Sequence, residues 1–152
     1  MEQMIRALLA AIAAAILAGC GTTHATIGTS RGEELMLLGF DPVAYFTDAA
    51  PQPGSPEMEY GAAGAIWRFR NAGNRAAFAD NPNVYAPQFG GYDPVAVARG
   101  ASVPGHPLFW LVTGQRLYLF YSGEARAEFA AQSQSILSLA ERRWPEVQRT
   151  LP

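Results

Sequence analysis

The sequence predicts an α+β fold, assembled from two pseudo-repeated units of a β-hairpin followed by a helix and packed as one small domain. Two observations lead there. The octet GFDPVAYF starting at Gly39 returns as GYDPVAVA starting at Gly91. Behind each octet come an apolar run, a polar capping residue and a phenylalanine at one spacing, nine residues from Phe69 to Phe78 and nine from Phe120 to Phe129. The offsets between the two stretches agree, 52 from Asp41 to Asp93 and 51 from Phe78 to Phe129. A chain of 152 residues with 49% apolar content has the size of a single hydrophobic core.

Residues 1–19 read as an export signal. Arg6 supplies a positive n-region, and the apolar run ALLAAIAAAILA from Ala7 to Ala18 is shorter than the roughly 18 to 20 residues needed to cross a bilayer. The run ends in LAGC, Leu17 to Cys20, which looks like the bacterial lipobox, where the signal is cut before a cysteine that becomes lipidated. Cys20 is the only cysteine of the chain, so lipidation would leave no thiol for a disulfide or a metal. Each buried methylene of such a lipid adds about 0.8 kcal/mol of membrane affinity, enough for a multiply acylated cysteine to hold the domain at a membrane without a spanning helix.

Residues 20–32 have the glycine, threonine and serine composition of a flexible tether. Within it GTSRG matches the G-x-S-x-G pattern at Ser30, but no strand before it and no helix after it is signalled, as a nucleophile elbow requires. The folded domain is expected over residues 33–152. In its first unit, AIWRFRNAGNRAAFADNP reads as a strand, a cap at Asn71 or Asn74 and a short helix carrying Phe78, while glycines and alanines blur the partner strand in MEYGAAGAIWRF. In the second, LFWLV and RLYLFY flank TGQ as a clear hairpin, and Ser122 caps a helix carrying Phe129. Each hairpin should be apolar on the face its helix covers. The last helix continues with Ile136, Leu137, Ala140 and Trp144 at helical spacing before Pro145, a core stripe.

Charge and motifs exclude several functions. Eleven basic against thirteen acidic residues give no basic patch for nucleic acid. There is no H-E-x-x-H, phosphate loop or G-x-G-x-x-G, and no nucleophile paired with a histidine. No cofactor is expected.

The stretches GFDPVAYF, WRF, NRAAF, NPNVYAPQFGGY and RRWPEV, in that order, resemble the YHS domain-containing proteins, specifically their bacterial exported branch. The resemblance spans Gly39 to Val147. It implies a small α+β module, and in many members of that family cysteines are thought to bind a transition metal. The cysteine of the metal-binding branch falls at Ala44 here, and that of the exported branch at Asp93. Neither thiolate remains, and soft thiolates are what select copper or zinc in such sites.

Asp41 and Asp93 each precede a proline at the start of a unit, where an aspartate closes a turn with its side-chain oxygen. A mixed oxygen and nitrogen metal site would need Asp41, Asp93 and His106, the one histidine of the folded part, since His24 lies in the tether. Tyr45, Trp67, Tyr85, Phe89 and Tyr92 are expected to gather around YAPQFGGY, as core or as the wall of a pocket whose polar residues would be Gln88, Tyr92 and Asp93. Asp41, Tyr45, Gln88, Tyr92 and Asp93 are therefore the candidate binding residues.

The function expected from these features is a non-catalytic binding or interaction module of the bacterial cell envelope, membrane-tethered through lipidated Cys20, with an unidentified protein or small-molecule partner. Gly21, where an aspartate would favour inner-membrane retention, points to the periplasmic face of the outer membrane. The alternatives are a copper- or zinc-binding YHS protein with altered ligands, and a small carboxylate-dependent enzyme using Asp41 with Asp93.

Overall fold

A computed structural model describes residues 34–62 and 64–151. The expected signal peptide and tether, with Cys20, His24 and Ser30, lie outside the described residues. The fold is α+β, with two small sheets and five helices among the described residues.

The first sheet has the order β1, β3, β2. Its hairpin pairs β2 (Ser55–Ala62) with β3 (Ala65–Phe69), and the short β1 (Glu34–Leu35) runs parallel to β3. Between β1 and β2 lie a 3-10 turn (Met36–Gly39) and α1 (Ala44–Thr47). Behind the hairpin come α2 (Ala72–Asp80) and α3 (Pro82–Tyr85). Asn71 caps α2 by accepting a hydrogen bond from the Asn74 amide at 2.8 Å, satisfying one of the donors a helix start leaves open.

The same kinds of feature occur again further along. A second 3-10 turn (Gln88–Gly91) leads into α4 (Pro94–Ala98), then a hairpin of β4 (His106–Thr113) and β5 (Arg116–Phe120), then α5 (Gly123–Arg149), capped by the Ser122 hydroxyl. Each hairpin is interrupted by a bulge at one place, between Ser55 and Glu59 in the first and between His106 and Trp110 in the second. Pro56 and Pro107 sit in these bulges, where a residue with no N–H leaves no ladder donor unpaired. Gly54 and Gly105 precede the bulges at a close backbone crossing. A Cβ on Gly54 would lie 2.5 Å from the Arg68 carbonyl carbon, and one on Gly105 2.5 Å from the Leu119 Cβ. A backbone break also recurs: Asn81 (φ −141°, ψ 61°) separates α2 from α3, and Gln132 (φ −137°, ψ 31°) bends α5.

Two clusters of buried side chains make the core. The first gathers Val43, Tyr45, Trp67, Phe69 and Phe78, and the second Val95, Val97, Phe129, Ile136 and Ala140. Strand β5 serves both, with Leu117 and Leu119 in the first cluster and Tyr118 and Phe120 in the second. This departs from the expectation of a hairpin apolar on one face only. Period-2 alternation sends neighbouring residues of a strand to opposite faces, so RLYLF reads as a continuous apolar run because both faces are buried.

Two further differences follow from packing. The final helix does not stop at Pro145 but continues to Arg149. The proline removes one N–H from the helix ladder, yet buried Val147 anchors the last turn, and the Arg149 guanidinium donates to the Pro145 carbonyl at 3.0 Å. The five aromatic residues expected around YAPQFGGY divide as well. Tyr45, Trp67 and Tyr85 belong to or pack on the first cluster, whereas Phe89 and Tyr92 join the second by packing against Trp144.

Candidate functional site

Asp41 and Asp93 are buried, at 0% and 2% exposure, and each is held by backbone donors. One Asp41 oxygen accepts from the Val43 amide at 2.8 Å and from the Ala44 amide at 3.4 Å. The other accepts from the Arg70 amide at 2.9 Å and from the Asn74 side-chain amide at 2.7 Å. Asp93 caps α4 by accepting from the Val95 amide at 2.8 Å, and its second oxygen accepts from the Tyr121 amide at 3.0 Å. Each carboxylate thus pins its own Asp-Pro turn to the residue just past the second strand of its hairpin. Charged acceptors on amide donors make strong hydrogen bonds, and such pairing is what makes a buried carboxylate tolerable. Their own amides complete the clasp, Asp41 donating to the Gln52 carbonyl at 2.8 Å and Asp93 to the Val103 carbonyl at 2.9 Å.

The carboxylates share no hydrogen-bond partner. His106 is exposed, and its Nδ1 accepts from the Leu108 amide at 3.2 Å. Among the described residues no group of three or more histidine, cysteine, aspartate or glutamate side chains is placed to hold a metal ion, so the imagined set of Asp41, Asp93 and His106 does not assemble.

The other candidates separate too. Tyr45 is enclosed in the first cluster, where its hydroxyl donates to the Pro107 carbonyl at 3.0 Å and its ring meets Trp110 edge-on at 5.3 Å. Burial, with a smaller contribution from the Asp41 charge, raises its proton affinity well above the usual tyrosine range. Gln88 lies in a polar cleft beside Asn83, Gln115 and Arg116 and accepts from the Arg116 guanidinium at 2.9 Å. Tyr92 instead lines an apolar groove. Gln88, Tyr92 and Asp93 therefore do not form one pocket.

That groove, a cavity of about 180 Å³, lies between the two 3-10 turns and was not foreseen from the sequence. Leu35, Leu37 and Leu38 line one side, and Gly91, Tyr92 and Leu119 line the other. Both turns are left-handed: Leu37 and Leu38 have φ of 55° and 52°, Phe89 and Gly90 have 52° and 60°. Left-handed geometry costs an L-residue about 1–2 kcal/mol, so Leu37, Leu38 and Phe89 are held there by their surroundings. The turns are fastened by matching bonds, Gly54 N–H to the Gly39 carbonyl at 2.8 Å and Gly105 N–H to the Gly91 carbonyl at 2.9 Å. The Gly-Gly pair at Gly90 was the only sequence signal for this geometry, and Leu37 and Leu38 carry none.

Comparison of the chain with models of protein families, with curated proteins and with solved structures finds no match.

Proposed function

We propose that the chain is a membrane-tethered, non-catalytic interaction module of the bacterial cell envelope, YHS-like in the order of its motifs and built from two copies of one unit. The observation that carries the non-catalytic reading is the use made of the two buried carboxylates. Both oxygens of Asp41 and of Asp93 are engaged by amides that hold the backbone together, so the residues best suited to acid–base work or metal ligation act as clasps. The duplicated-unit reading is supported by the clasps, bulges, glycine crossings and helix breaks that recur 51 or 52 residues apart. The interaction reading is supported by the groove, whose walls include the strained Leu37 and Leu38, because backbone strain of this kind gathers where a surface has work to do.

The tether rests on LAGC and on Cys20. Full-length chain expressed in a bacterium supplied with an alkyne fatty acid should carry the label and sediment with the outer membrane. Cys20→Ser should lose the label and leave the membrane fraction. Label retained on Cys20→Ser would overturn the anchor, and unlabelled, soluble wild-type chain would overturn it equally.

A further inference from the structure

An exposed apolar side chain stands at Leu38, at Leu108 and at Tyr121, where the matching place in the other 3-10 turn or hairpin has glycine or a charged residue. Leu38, with φ of 52°, takes the place that Gly90, with φ of 60°, has in the second turn. Glycine adopts that geometry freely and leucine does not. Leu38 gains no packing in return, since it is 67% exposed. The bulge of β2 carries Glu57, and Arg70, the residue after β3, is paired with Asp48. The same places around β4 and β5 hold Leu108, 52% exposed, and Tyr121, 65% exposed.

These side chains lie at one end of the second hairpin. Leu38 lines the groove together with Pro104 and Pro107, and Leu108 and Phe109 follow Pro107 along β4. His106 pairs with Phe120, which puts Tyr121 beside the start of β4, and the exposed Phe109 ring lies 5.8 Å from the His106 ring. Glu34, where the described chain begins, lines the same groove and is the only charged residue that does. The chain that precedes Glu34 therefore joins the domain at its apolar end. Glu34 stands 14 positions after Cys20. A chain of that length spans at most about 50 Å when extended, and about 20 Å root-mean-square when flexible. A lipid on Cys20 would thus hold this end of the domain within reach of the bilayer surface.

We infer that this end of the domain is a membrane-contact face, at which Leu38, Leu108, Phe109 and Tyr121 enter the headgroup boundary of the bilayer that holds the anchor. The bilayer is favoured over a protein strand by two observations: the point where the chain enters the domain, and the bulge with Pro107, which guards the start of β4 against strand addition. Leucine and aromatic side chains without charge between them suit a burial of about 5–10 Å at that boundary. At such a depth the unpaired backbone of the β4 edge stays among water and headgroups, and the hydrocarbon interior, which offers it no partner, is not reached. The contact deepens the membrane-tethered reading and rests on it. Its effect is to fix how the domain stands on the membrane, where a tether alone would leave it free to turn.

The test uses the full-length chain with its anchor, reconstituted into vesicles of phosphatidylethanolamine and phosphatidylglycerol. Cys20 is the only cysteine and the expected lipid site, so a thiol placed elsewhere takes a fluorophore alone. The reference position is Val84, an apolar residue 44% exposed beside the Gly114–Gln115 turn, at the far end of β4. Labels at Leu38→Cys and Leu108→Cys should be quenched by brominated lipid and be about fivefold less open to aqueous iodide than a label at Val84→Cys. Leu108→Glu with Tyr121→Arg, the charges that the first hairpin has, should return the label at position 38 to water with an unchanged circular dichroism spectrum. Labels at 38 and 108 as open to iodide as the one at 84 would overturn the inference. So would shielding that persists in the charged variant, or shielding from iodide without quenching by brominated lipid, which would mean that a protein such as a second copy covers the patch. Fatty-acid labelling separates the two readings: a chain without lipid takes this inference down with the tether, whereas a lipidated chain whose labels stay in water defeats the contact face alone.

Discussion

At the scale of the residue, Asp93 can be distinguished from a catalytic carboxylate by the sign of a single measurement. Its two oxygens accept from the Val95 and Tyr121 amides. An asparagine keeps only one acceptor oxygen and turns a donor toward the other amide. Leaving a buried donor without an acceptor costs about 1–3 kcal/mol, so Asp93→Asn should lower the melting temperature clearly. Catalytic groups behave the opposite way, since their replacement tends to leave stability unchanged or to raise it. A variant as stable as the wild type would remove the clasp from the account. Asp41 should be the more sensitive of the two, because Asn74 gives it a further donor and Asp93 has no such side-chain donor. Tyr45 supplies a prediction in pH. Its raised proton affinity in the fold means that between the usual tyrosine value of 10.0 and the higher folded value the unfolded chain has lost a proton that the folded chain keeps. The contribution is therefore fully present below pH 10.0 and is lost as pH rises above it, at up to about 1.4 kcal/mol per pH unit for one group. Denaturant unfolding of the wild type at a series of alkaline pH values should show this fall, and Tyr45→Phe should show less of it while being weaker at neutral pH for want of the bond to Pro107. An equally steep fall in both proteins would assign the effect to other groups.

At the scale of the element, legibility follows locality. The second hairpin could be read because LFWLV, TGQ and RLYLFY combine strand formers with a turn that demands positive φ. The caps at Asn71 and Ser122 could be read because a short side chain before a helix has one main use. The role of the two aspartates was legible for the same reason, as each acts first on amides two or three residues away. What was hidden depends on distant partners. Strand β1 is two residues long and exists only because Ala65 and Ile66 of β3 lie beside it. Pro145 stops a helix on local grounds, at a cost of about 3 kcal/mol in an interior, and was passed because Val147 beyond it is buried. Asn74 was weighed as a cap, while its side chain instead crosses to Asp41. The groove was hidden most completely, because it is made by two turns far apart in sequence, one of them with leucines in left-handed geometry.

At the scale of the whole molecule, the two clusters of the core cannot be separated, although similar octets begin at Gly39 and Gly91. Strand β5 gives Leu117 and Leu119 to the first cluster and Tyr118 and Phe120 to the second, all of them buried. Tyr45, from the first stretch, ends in a hydrogen bond to Pro107 in the second. Opening either cluster therefore strips one face of β5 and exposes large apolar side chains, at about 25 cal/mol for each Å² uncovered. Domains whose parts share a core in this way unfold as one unit, whereas parts with cores of their own open at separate free energies. Native-state hydrogen exchange should accordingly give the slowest amides of α2, which carries Phe78, and of the first half of α5, which carries Phe129, one common opening free energy. That energy should equal the value from urea unfolding followed by circular dichroism, and both should fall together in Leu119→Ala, a substitution in the strand both clusters use. If α2 and α5 exchange through openings of different energy, or if Leu119→Ala lowers one and spares the other, the two stretches fold as independent units and the shared strand does not couple them.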